Sequence, residues 1–109
     1  MIARFWRGWT SAANADAYET LLRTTILPGI HRVPGYRGAI LLRRPHPDGV
    51  EFATLTLFES MAAIRAFAGD ASETAVVPLQ ARALLLRFDP TALHFDATAM
   101  PGLDLAAAA

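Results

Sequence analysis

Apolar and charged positions interleave from Ile2 to Thr10, where Ile, Phe and two Trp alternate with Arg, and this short period predicts a first strand whose two faces touch different surroundings. From about Asn14 the period lengthens. Tyr18, Leu21, Leu22, Thr25 and Ile26 fall at i, i+3, i+4, i+7 and i+8, one face of an amphipathic helix, with Asp16 and Glu19 near its positive end. Pro28-Gly29 is expected to stop that helix, because proline lacks the amide donor and crowds the preceding turn; Val33-Pro34-Gly35 supplies a second break.

Tyr36 to Arg44 is apolar and strand-like, and Pro45-His46-Pro47-Asp48-Gly49 follows, an Asp-Gly pair suited to the left-handed angles of a hairpin turn. Val50 to Phe58 reads as the returning strand. Simple alternation puts Ile40, Leu42, Phe52 and Phe58 on one face of this hairpin and Ala39, Leu41, Ala53, Leu55 and Leu57 on the other, so neither face is polar. Ser60 is expected to cap a short helix that carries Met61, Ile64, Phe67 and Ala68 on one side and ends at Gly69. Pro78 suits a first helical position, Leu79 to Leu86 continues as a helix or helical turn, Asp89-Pro90 closes it, and Leu93 to Ala97 forms a last strand.

Strand, helix, strand, strand, helix, strand is the order of a ferredoxin-like α+β fold (βαββαβ): a four-stranded antiparallel sheet with both helices on one face. The other face would be left bare and apolar on a monomer, which predicts a homodimer that closes sheet against sheet about a two-fold axis.

Composition narrows the function classes. The 109 residues are 53% hydrophobic and 18% charged with a formal net charge of zero, enough for one compact domain. Ten basic residues, all Arg, are balanced by ten acidic ones, so no nucleic-acid surface is expected. The absence of Cys excludes disulfides, thiolate nucleophiles, zinc–thiolate sites and iron–sulfur clusters. The glycines make neither Walker nor dinucleotide spacing, and no His/Asp/Glu group has metal-ligand spacing, so no cofactor is expected. Charges within the first apolar run and the lack of a long apolar span point away from a signal peptide or membrane segment and toward the cytoplasm.

Several segments taken together resemble the antibiotic biosynthesis monooxygenase family of the dimeric α/β barrel superfamily: Met1 to Gly8, Leu27-Pro28-Gly29-Ile30, Pro34 to Gly38, Phe58-Glu59-Ser60 through Phe67-Ala68-Gly69, and Leu93-His94-Phe95. The likeness spans residues 1–97; residues 98–109 form an Ala-rich tail outside it, expected to be loose or lightly docked on a partner through Leu103 and Leu105. The resemblance implies a cofactor-independent monooxygenase acting on an aromatic or polyphenolic small molecule, although the scaffold also hosts haem-degrading oxygenases, isomerases, lyases and binding proteins. In the haem-degrading branch the axial His stands ten residues beyond the helix aromatic. Here Phe67 is that aromatic, and Val77 stands in the ligand position.

A cofactor-free oxygenase needs an apolar, partly aromatic slot, a proton acceptor and donors near a developing oxyanion. Trp6, Tyr18, Phe58 and Phe67 are the candidate slot residues, with Arg4 or His94 at its polar end and His94 the candidate base. Each has a plainer alternative: His94 as a half-buried, backbone-bonded side chain, Arg4 in an interface ion pair, the phenylalanines as core. His31 suits the end of the first helix, and His46 a solvent-facing hairpin tip. Trp6 and Trp9 have opposite parity and are not expected in one pocket unless the strand bulges at Gly8.

Overall fold

The structure is a computed structural model and describes residues 1–103. Strand β1 (Ile2–Thr10) is followed by helix α1 (Ala15–Leu21), a π-helical turn at Leu22–Ile26, helix α2 (Leu27–Ile30), strands β2 (Tyr36–His46) and β3 (Gly49–Phe58), helices α3 (Met61–Ala68) and α4 (Leu79–Arg82), and strands β4 (Leu85–Phe88) and β5 (Leu93–Asp96). The sheet is antiparallel in the order β2-β3-β1, and β4 and β5 pair one after the other along the free edge of β1. This is the expected α+β, ferredoxin-like arrangement with helices on one face, but it has five strands among the described residues rather than four.

The fifth strand lies where a helix was expected. Helix α4 ends at Arg82, and Leu85–Phe88 pairs with Gly8–Thr10. The sequence Asp89-Pro90 then interrupts the edge strand, because proline has no amide to give the ladder. Asp89 stays close: its amide donates to the Arg7 carbonyl at 3.0 Å and its carboxylate meets Arg7 Nε at 3.0 Å.

The first helix also departs from expectation, since it runs through Pro28 to Ile30 instead of stopping there. The wider π turn immediately before it resolves the conflict. The Leu27 amide reaches back five residues to the Leu22 carbonyl, and a widened turn accommodates the ring and missing donor of Pro28.

The β2–β3 turn is Pro47-Asp48, with His46 paired to Gly49. Asp48 keeps a negative φ, and the positive value belongs to Gly49 (φ 145°), where a side chain would collide with the Thr10 carbonyl. A two-residue turn at this point pairs even positions on β2 with odd ones on β3: Ile40 with Leu55, Leu42 with Ala53, and Leu41 with Thr54. The face assignment from simple alternation is corrected accordingly. Ile40 and Leu42 share the helix-free face with Ala53, Leu55 and Leu57, while Leu41, Phe52 and Phe58 face the helices.

The expected cap of α3 forms: Ser60 Oγ accepts from the Ala63 amide at 3.2 Å, and Gly69 ends the helix at φ 86°. The core on the helix side consists of two clusters. Ala15, Tyr18, Leu22 and Ala81 pack on Phe52, and Ala63 and Ile64 pack on Phe58. No helix among the described residues is long and apolar enough to cross a membrane. The tail expectation falls partly outside the described residues, because Leu105 lies beyond residue 103; within them, Met100 and Leu103 are exposed.

Candidate active site

The helix-facing positions of β3 read Phe52, Thr54, Thr56, Phe58, large at both ends and small between. Each phenylalanine anchors one core cluster, and the two threonines leave the helices unfilled space above the middle of the sheet. Beside them, paired to Thr56 and Thr54, stand Arg4 and Trp6 of β1. These four side chains floor a cleft that opens to solvent and has a cavity volume of about 70 Å³. Tyr18, Leu22, Ile26, Leu27 and Ile30 form one wall; Phe67, Val76, Val77, Pro78 and Ala81 form the other. The apolar, partly aromatic lining suits a small organic molecule.

The Trp6 ring packs close over Gly8, where a Cβ would sit 3.1 Å from the indole. The indole N–H donates to the Asp89 carbonyl at 2.7 Å, so the ring is fixed and presents only carbon to the cleft. Tyr18 is 1% exposed and packs edge-on against Phe52, ring centroids 4.9 Å apart. Every fully buried side-chain nitrogen and oxygen among the described residues has a hydrogen-bond partner. The Tyr18 hydroxyl has none among the described residues, so it is the tip of that residue that emerges into the cleft. Burial pushes its ionisation well above the usual tyrosine range, so it stays a neutral hydroxyl.

Arg4 is 5% exposed and forms no ion pair among the described residues. Its Nη1 donates to the Ser72 carbonyl and, at 2.8 Å, to Nε2 of His94; its Nη2 donates to the Thr74 carbonyl at 2.8 Å. The guanidinium carbon lies 5.7 Å from the centre of the Phe67 ring. Burial lowers its pKa, partly countered by the charge of Glu73, but a guanidinium remains protonated in proteins. Arg4 also ties the loop after α3 to the sheet, with help from the Ala92 amide on the Glu73 carbonyl (2.7 Å) and the Ala75 amide on the Pro90 carbonyl (3.0 Å).

His94 on β5 sits opposite Arg4 across the strand pair. Since an arginine can only donate, His94 Nε2 must be the acceptor and the ring proton must be on Nδ1. Burial, and then the charge of Arg4, depress its pKa, with Glu73 opposing, so the imidazole is neutral at neutral pH.

Of the residues singled out from the sequence, the structure brings Arg4, Trp6, Tyr18 and Phe67 together in the cleft and places His94 behind Arg4, outside the lining. Phe58 is fully buried beneath Phe67, ring centroids 5.9 Å apart, and contributes support rather than surface. Trp9 is on the opposite face, held by Arg7, Arg87 and Glu51. His31 lies tilted beside Tyr36, ring centroids 5.6 Å apart, and His46 lies at the hairpin next to Trp9. Sequence reading missed Thr54, Thr56, Leu22, Ile26, Ile30 and Val76-Val77-Pro78. The signal for the threonines was present, since two polar residues interrupt the helix-facing side of an otherwise apolar strand.

No family model and no curated protein matches the sequence at a significant level. Solved structures do. A Caulobacter crescentus protein described as an antibiotic biosynthesis monooxygenase aligns over 90% of both chains at 19% identity, TM-score 0.65. The fold is that of the antibiotic biosynthesis monooxygenases. SnoaB, a cofactor-independent oxygenase from Streptomyces nogalater, aligns over 94% of this chain and 97% of its own at 20% identity, TM-score 0.63. MhuD, solved with two manganese protoporphyrin IX molecules in each active site, aligns over 94% and 99% at 19% identity, TM-score 0.65.

A porphyrin iron held in this cleft would need an axial ligand from its lining. In this chain Val77 lines the cleft, no imidazole or thiolate does, and the one oxygen donor of phenolic type, Tyr18, is held in its neutral form. These side chains do not provide an axial ligand for haem iron. No group of three or more His, Asp or Glu that could hold a metal exists among the described residues.

Proposed function

We propose that this protein is a cofactor-independent monooxygenase acting on an aromatic or polyphenolic small molecule held in the cleft. The observation that carries this reading is the combination of the aromatic surfaces of Trp6, Tyr18 and Phe67 with Arg4, the single buried cation among the described residues, whose hydrogen-bond partners are all neutral. A phenolate lying on Trp6 with its oxygen toward Arg4 is stabilised as the anion and donates electrons to oxygen. With an anthrone, oxygen adds at the activated CH2 carbon, one oxygen atom remains as the new carbonyl and the other leaves as water with the two hydrogens. Tyr18 and Thr54 supply hydroxyls at the cleft surface to orient the substrate, and His94 acts through Arg4 as a positioning residue.

We further infer that the working unit is a homodimer closed through the helix-free sheet face. Leu42, Leu93 and Phe95 on that face are each more than half exposed in the single chain, beside the half-buried Phe5, Ile40 and Leu55. Covering such a patch removes apolar surface from water.

A second reading has one observation in its favour. No side chain lining the cleft is a proton acceptor at neutral pH, which suits a non-catalytic protein that binds an aromatic metabolite. Oxygen uptake decides between them. Metal-stripped protein with a panel of anthrones and naphthohydroquinones is expected to consume oxygen saturably above an enzyme-free blank, and Arg4→Gln to lower the rate by about a hundredfold. Uptake equal to the blank across the panel would remove the oxygenase reading and leave the binding one.

A further inference from the structure

We propose that the cleft selects aromatic molecules that are already anionic when they bind, and that Arg4 is the subsite for the anion. This names the substrate class of the proposed oxygenase and rests on that reading only for the choice of cleft; the binding claim does not require turnover.

Three observations converge. Arg4 is 95% buried by difference from its 5% exposure, yet its three hydrogen bonds go to two carbonyls and a neutral imidazole. The charge is therefore solvated by dipoles but not cancelled; Glu73, whose charge favours the protonated guanidinium, makes no ion pair with it among the described residues. A buried, uncompensated cation in an apolar setting is costly, and an anion in the adjoining cleft offsets that cost. Secondly, a guanidinium has five N–H donors and Arg4 uses three, leaving Nε–H and one hydrogen on Nη2 for a ligand. Thirdly, the cleft holds no base to ionise a neutral substrate: the Tyr18 hydroxyl stays protonated, and the lone pair of His94 Nε2 is taken by Arg4. Binding therefore has to recruit the anionic form, a carboxylate or an acidic phenol on a flat ring system, rather than generate it. His94 serves this end. A carboxylate in its place would cancel the charge, whereas a neutral acceptor fixes the fork and leaves the charge to the ligand.

The test uses two fluorescent probes that share one ring system: 1-anilinonaphthalene-8-sulfonate, anionic at every accessible pH, and neutral N-phenyl-1-naphthylamine. The wild-type protein is expected to prefer the sulfonate by about tenfold or more, the weight of one charged hydrogen-bonded contact. Arg4→Gln is expected to abolish that preference while holding the neutral probe within about threefold. Arg4→Lys, which keeps the charge and loses the fork, retains a reduced preference and serves as the readout if Arg4→Gln fails to fold. His94→Gln, with an amide oxygen as acceptor, keeps the preference, and His94→Leu weakens it. Equal affinities in the wild type, or a sulfonate preference that survives Arg4→Gln and so belongs to the arginines of the open sheet face, would overturn the proposal. Neither result bears on whether oxygen is consumed, so the two readings fail separately.

Discussion

Arg4 Nη1 and His94 Nε2 face each other at 2.8 Å across the β1–β5 pair, a cation donating to an imidazole that must stay neutral to receive it. The relationship makes the polar end of the cleft sensitive to acid. Protonating His94 removes the acceptor and sets two positive charges side by side.

The sign of the resulting pH dependence follows from the depressed pKa. The unfolded chain takes up the His94 proton near pH 6.5 and the folded chain only at lower pH, so the unfolded state binds more protons and stability falls as the pH drops below about 6.5. Above that range His94 contributes no slope. Melting temperatures measured from pH 8 to pH 5 are expected to decline less steeply for His94→Gln than for the wild type; parallel curves would show that the pair is not formed in solution.

Phe58 belongs to packing, not to ligand contact. It is fully buried, edge-on to Tyr36 at 5.8 Å and stacked with Phe67 at 5.9 Å. Phe58→Ala is expected to cost about 3–5 kcal/mol in denaturant unfolding. A loss below about 1 kcal/mol would mean that this core cluster is looser than described.

The open sheet face predicts association. Light scattering at micromolar protein is expected to give twice the 11.8 kDa chain mass, and Leu42→Asp combined with Phe95→Asp to give the monomer, because both would place carboxylates in the buried face. A monomeric wild type would contradict sheet-to-sheet closure.

Haemin distinguishes this chain from its porphyrin-binding structural neighbour. With Val77 in the cleft wall and no imidazole among the lining residues, titration is expected to give no saturable Soret shift. A one-to-one shift would require an axial ligand from outside the cleft.

The sequence by itself determined the layers and their order. Periodicity, Ser60 as a cap, Gly69 as a stop and the parity of Trp6 and Trp9 are local properties, encoded over a few residues by backbone sterics and side-chain alternation. They were enough to set helices on one face and leave an apolar face open. Registry and closure were decided only by tertiary structure. The two-residue Pro47-Asp48 turn pairs even positions on β2 with odd ones on β3, so Ile40 and Leu42 lie on the opposite face from Phe52, which alternation counted straight through the turn does not register. The helix-like run before Asp89 became β4 because β1 offered it an unpaired edge, and the helix passed Pro28 because a π turn relieved the ring. At the site, Arg4, Trp6, Tyr18, Phe67 and His94 were all visible in the sequence as residue types. Their roles were not, because burial and the Arg4 charge keep His94 neutral, a hydrogen bond between positions ninety residues apart sets it behind Arg4, and the charge free to meet a ligand exists only once those two strands are paired.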